Sequence, residues 1–242
     1  MRTFALLALS WLTCTALAQV EPEAADLLVQ ARQAHGGDAL QELTTYREMV
    51  VVTVFGPSGE PVAQLPGVTL VDLAAGAYRD ELYAGEELVT ISQVTPEGAW
   101  TWTPDTGTLR APPTQEEELR NAFYRGLFGL RFGAERDAAE AMGPQTWREV
   151  EGTAVRVTTQ GVDTTYLLDD DGRMAAQRYV SPQLGEVTVV FGDVRDRGGV
   201  LVPFTAEYFV EAGPMLRTDA QEVEPNPELP ADAFEPPADA PF

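Results

Sequence analysis

The sequence predicts an α+β fold that is mainly β, and three observations carry that expectation. Residues 155–224 read as consecutive antiparallel strands cut by turn residues at nearly even intervals, a β-meander. A second series of β-prone runs occupies residues 46–103. Between the two lies a proline-led amphipathic stretch, and another precedes the first strand.

The chain has 242 residues, and three parts are expected: a signal peptide at 1–18, one domain at 19–224 and a proline-rich tail at 225–242. The first part has a single charge at Arg2, an apolar core from Phe4 to Leu12, and Ala16-Leu17-Ala18 as a small-x-small cleavage site. That core is too short to cross a bilayer as a helix, and no later run is long enough, so a periplasmic or secreted, soluble mature chain is expected. Cys14, the one cysteine, lies within this segment, leaving the mature chain without a disulfide. A rival reading makes Cys14 a lipid anchor; Trp11-Leu12-Thr13 lacks the small residue that such a cysteine follows.

All 16 cationic side chains are arginine, and 38 acids bring the formal net charge to −22. This excludes nucleic acid as a partner, and with it a purely electrostatic hold on anionic membranes. The acids read as a solvated surface, with docking of an envelope protein as the alternative.

Residues 22–34 are expected to be helical: Pro22 suits a first turn, Glu23 complements the N-terminal dipole, and Leu27, Leu28, Ala31 and Ala34 form a stripe. Gly36-Gly37 ends it, and His35 in the last turn is read as interacting with free helix carbonyls. A short turn carrying Leu40 and Leu43 leads to a strand at 46–55, apolar on both faces from Met49 to Val54 except at Thr53. Strands follow at 65–73, 77–83 and 88–94, then a turn at Glu97-Gly98. Next comes an aromatic strand in which Trp100 and Trp102 share one face. After Ala111-Pro112-Pro113, Thr114 is expected to cap a helix over 115–130, whose stripe includes Leu119, Phe123, Leu127 and Leu130. A second helix is expected over 135–142, ending at Gly143-Pro144. In the meander, Asp169-Asp170-Asp171-Gly172 is read as a hairpin turn rather than a fragment of a calcium loop.

No phosphate-binding loop, nucleophile elbow or metal-ligand spacing occurs, so neither cofactor nor metal is expected. A glycosidase-like pair among so many carboxylates stays open, with no pair to nominate.

Several strings, taken in order, resemble the periplasmic outer-membrane lipoprotein carrier and sorting family, the LolA/LolB-like proteins. They are Glu97-Gly98-Ala99-Trp100-Thr101-Trp102-Thr103-Pro104, Asp171-Gly172, residues 187–195, Gly199-Val200-Leu201-Val202-Pro203-Phe204, Asn226-Pro227-Glu228-Leu229-Pro230 and Phe234-Glu235-Pro236-Pro237. The resemblance implies a strongly curved, incompletely closed antiparallel β-barrel with an N-terminal helix and helices over its mouth. It further implies a non-enzymatic protein whose apolar cavity takes acyl chains of lipid or lipoprotein, in outer membrane biogenesis, with a regulatory protein-interaction module of the same fold as the alternative. Expected cavity residues are Trp100, Trp102, Phe123, Leu127, Val187, Val189 and Phe191. One departure stands out. The carrier's arginine would fall near Ala74-Ala75-Gly76, which lack it, and Arg79 lies just beyond.

Overall fold

The computed structural model describes residues 20–235; the expected signal peptide, Cys14 and the tail beyond Glu235 lie outside them. One antiparallel sheet of 13 strands dominates. Strands β1 (Thr45–Phe55), β2 (Pro61–Asp72), β3 (Ala77–Ala84), β4 (Glu87–Thr95), β5 (Gly98–Thr103) and β6 (Gly107–Arg110) form one meander. Strands β7 (Ala138–Trp147), β8 (Val150–Thr159), β9 (Val162–Leu168), β10 (Met174–Ser181), β11 (Gly185–Arg197), β12 (Val200–Val210) and β13 (Gly213–Pro225) form the other. Pairing of β1 with β13 joins the two, so β6 and β7 are the free edges and the curved sheet stays open.

Asn226 locks the joint. Its side-chain oxygen accepts hydrogen bonds from the Thr44 amide (2.7 Å) and hydroxyl (3.1 Å), and Arg47 pairs with Glu224 across the seam at 2.9 Å.

Helix α1 spans Pro22–Ala34, as the sequence pattern predicts, with Pro at its start, and buries Ala24, Leu28 and Ala31. It lies beside β7 and β8, and its stripe joins a core that includes Leu40, Tyr46, Val155, Tyr166, Leu168, Met174 and Phe204. The short helix α2 (Asp38–Gln41) follows.

His35 differs from expectation. Its amide caps α1, but its fully buried ring turns away from the helix carbonyls: Nδ1 donates to the Leu201 carbonyl (2.7 Å), and Nε2 accepts from the Met174 amide (2.9 Å). Those two partners fix the neutral tautomer. Burial, the largest influence, lowers its pKa.

Two helical expectations are corrected. The stretch at 115–130 is not one helix. It comprises α3 (Pro113–Asn121), a 3₁₀ turn (Ala122–Tyr124), an extended Arg125 and α4 (Gly126–Leu130), and Pro112 rather than Thr114 sits at the N-cap. The break follows from Gly126, whose φ of 54° is left-handed, and from side chains that fasten Arg125 and Gly126 to β10. Residues 138–142, expected in the second helix, form the start of β7 instead. There the helix preference of Ala138, Ala139 and Ala141 is outweighed by pairing with β8 and by the Glu21 amide donating to the Ala139 carbonyl at 3.0 Å. Pro144 suits this edge position, where no ladder bond is needed from it.

The turn at Asp169 is a hairpin: the Asp169 carboxylate accepts the amides of Asp171 (3.0 Å) and Arg173 (2.7 Å). Past β13 the chain crosses the outside of the sheet, where Gln93 donates to the Phe234 carbonyl and Arg79 to the Glu235 carbonyl (2.9 Å).

Candidate functional site

The inner face of the sheet and the broken helical segment enclose a cavity of about 540 Å³. This lies within the range of roughly 300–1,000 Å³ typical of small-molecule sites. Alternation along each strand decides which side chains reach it. From β1 come Tyr46, Glu48, Val50 and Val52; from β3, Tyr78, Asp80 and Leu82; from β12, Val202, Ala206 and Tyr208. The helical segment adds Leu119, Ala122, Leu127 and Phe128. Phe128 meets the Tyr46 ring edge-on at 5.2 Å, and Phe123 meets Tyr78 in the same way at 6.2 Å.

The break in the helical segment is fastened across the cavity. Arg125 is buried, donates to Glu118 (2.5 Å) and to the Val180 carbonyl (3.2 Å), and stacks 3.9 Å from the Tyr179 ring centre. The Gly126 amide donates to the Gln177 side chain at 2.7 Å. Arg125 Nε and Glu118 Oε2 are buried without partners among the described residues.

Of the residues expected from sequence, Leu127 and Phe191 line this cavity. Val187 and Val189 share the inner face with Phe191 but are fully buried opposite Tyr179 and Tyr208, which take the lining positions. Phe123 packs beside Leu119 and Tyr78 instead of on the lining. Trp100 and Trp102 lie elsewhere. They pair with Gln93 and Ile91 of β4, while the lining residues Thr90 and Ser92 belong to that strand's other face, so both indoles sit on the outer side of the sheet. Arg79 also faces outward, bound to Glu81 (2.6 Å), Gln93 (3.1 Å) and the tail.

The sequence reading missed the polar part of the wall. Asp80 accepts from the Thr69 hydroxyl (2.6 Å) and the Tyr78 hydroxyl (2.7 Å). Thr69 also lies opposite Glu48, so three adjacent strands set Glu48, Thr69 and Asp80 side by side. Burial raises the Asp80 pKa. Burial first, and then the Asp80 charge, push Glu48 up to about 7, eased by hydrogen bonding with Tyr46. The available signal was an acid at an inward position of an alternating strand: Glu48 between Tyr46 and Val50, and Asp80 between Tyr78 and Leu82. Among the described residues, no group of three or more His, Asp or Glu converges as a metal site.

No protein-family model matches the chain, and no curated protein matches it. Solved structures do. A DUF1329 family protein from Desulfovibrio piger superposes with a TM-score of 0.62 at 11% identity, covering 88% of this chain and 96% of that one. A LolA superfamily protein from Nitrosomonas europaea gives 0.58 at 12% identity, covering 87% and 96%. The fold is LolA-like. A domain assigned to outer membrane lipoprotein sorting, from Vibrio parahaemolyticus, gives 0.56 at 9% identity over 88% and 96%. The LolA-like fold of this chain thus agrees with the open, curved sheet and covering helices expected from the sequence.

Proposed function

We propose that the protein is a non-enzymatic, periplasmic or secreted binding protein whose cavity receives acyl chains of a lipid or lipoprotein, in the service of outer membrane biogenesis. The observation that carries this reading is the cavity of about 540 Å³ between an inner wall rich in Val and Leu and the helical segment from Leu119 to Phe128. Burial of a chain there gains roughly 0.8 kcal/mol per methylene, with no polar chemistry required. The similarity to a lipoprotein-sorting domain supports the same ligand class by analogy of fold. The turn at Ala74-Ala75-Gly76 lacks the carrier's arginine, and Arg79 just beyond it faces outward, to the tail, so the reading covers binding of acyl chains and not carrier-type handover.

The test is native mass spectrometry with lipid extraction on protein purified gently from the envelope fraction. Co-purifying acyl lipid is expected, displaced by an added single-chain amphiphile and reduced by Leu127→Asp or Phe191→Asp but not by Trp100→Asp. An apo mass with no uptake of added lipid would refute the reading and favour a protein-interaction module.

A further inference from the structure

The cavity wall combines two chemistries that a simple acyl pocket does not need together. Most of it is aliphatic or aromatic, yet Glu48 and Asp80 project from neighbouring inward positions of β1 and β3, with Thr69 between them. Asp80 is held in place by Thr69 and Tyr78, one hydroxyl on each carboxylate oxygen. Among the described residues no arginine acts on either acid; the charged and titratable groups around them are each other, Tyr46, Tyr78 and Tyr208.

The opposite wall does not balance this. Arg125 is the one cationic side chain of the lining among the described residues, and it is engaged by Glu118 and Val180. Glu118 itself keeps Oε2 buried and without a partner. Arg125 Nε is open in the same way, so that wall leaves one donor and one acceptor free and has no spare cation for Glu48 or Asp80. A buried charge without a partner is costly, so the wall is complementary to a ligand that brings its own cation and N–H donors.

We infer that the cavity selects amphiphiles whose acyl or alkyl chain carries an amine or ammonium end, received between the carboxylates of Glu48 and Asp80. This rests on the acyl-binding reading above and names the head-group class for the same site. The apolar wall takes the chain, while the carboxylates take the cation and repel a fatty-acid carboxylate. Because an ammonium favours the ionised form of Glu48, binding tightens as pH rises through about 7.

The experiment uses N-phenyl-1-naphthylamine, a neutral fluorescent apolar probe, displaced by dodecylamine, dodecanol or dodecanoate. The three share a chain length and differ at the polar end. Dodecylamine is expected to displace the probe at concentrations about tenfold lower than dodecanoate or dodecanol. That margin should persist in high salt, which screens the general negative charge of the protein. It should collapse in Glu48→Gln, in Asp80→Asn and in the double variant, and persist in Glu151→Gln, an exposed acid on β8. Probe uptake by each variant reports an intact cavity. Equal displacement by all three amphiphiles, or a preference for dodecylamine unchanged in both single variants, would overturn the inference while leaving the acyl cavity standing. Failure of the wild-type protein to take up probe or any of the three would instead refute the acyl-binding reading itself.

Discussion

Replacement of Glu48 by Gln removes a charge that the folded wall disfavours while keeping the side chain's shape. In the folded protein Glu48 holds its proton up to about 7, against 4.5 in the unfolded chain. The native state therefore binds more protons than the unfolded state between these values, and the stability contributed by this site, full below 4.5, is lost as pH rises through about 7. Taken at face value that difference is about 3 kcal/mol at pH 8, and because Glu48 is only partly buried, about 1–3 kcal/mol is expected. Glu48→Gln should thus be more stable than the wild type by that amount near pH 8, and the gap should narrow steadily towards pH 5. Urea denaturation across this range, without added ligand, measures both values. A constant difference between the two proteins over the whole range would refute the reasoning, as would a Gln variant that is the less stable one near pH 8.

His35 and Gly129 give two further expectations. His35→Leu strands the Leu201 carbonyl and the Met174 amide in the interior and should cost about 2–5 kcal/mol by urea denaturation at neutral pH. Because burial lowers the His35 pKa, its contribution in the wild type is full above about 6.5 and is lost as pH falls below it, a dependence the Leu variant should lack. A Cβ at Gly129 would lie 2.5 Å from the Tyr124 carbonyl oxygen and 2.2 Å from the Tyr166 hydroxyl, so Gly129→Ala should lower the melting temperature, by about 1–3 kcal/mol in stability, and loosen α4 over the cavity. Unchanged thermal unfolding would show that this segment repacks freely.

The strands were the most legible part of the fold, because each has its own alternation and its own turn. The meander from β8 to β13 and helix α1 follow their sequence signals closely, since Pro22 and Gly36-Gly37 bracket α1, and Asp169 and Gly172 shape the turn after β9. Residues 138–142 were misjudged because an alanine- and glutamate-rich run carries a helical local preference, and only partners distant in sequence, Arg156 opposite Glu140 and Glu21 beside Ala139, make it an edge strand. The break at Arg125 was equally invisible. It depends on Gln177, Tyr179 and Val180, more than 50 positions along the chain. For the cavity, composition identified aromatic residues but not their side: Trp100 and Trp102 share a face, and only the register with β4 shows that it is the outer one. Glu48 and Asp80 carried a readable signal, an acid on an inward position, that a search for large apolar side chains passes over.

The joint between β1 and β13 gives this architecture an unusual relation between chain order and spatial order. Every other neighbouring pair of strands is consecutive in sequence, whereas Arg47 and Glu224 meet across 177 positions. All the other pairings are thus local hairpins, and the long-range contacts fall to this joint and to the core that the two wings share. Were the chain ends linked at this joint and the backbone reopened between β6 and β7, the same sheet would become one uninterrupted meander, with every strand pair local. The natural connectivity instead keeps the cavity's helical cover, which links β6 to β7, in one continuous stretch of chain between the two wings. The segment that covers the cavity is in that sense also a tether, and it limits how far the two free edges can separate when something enters or leaves.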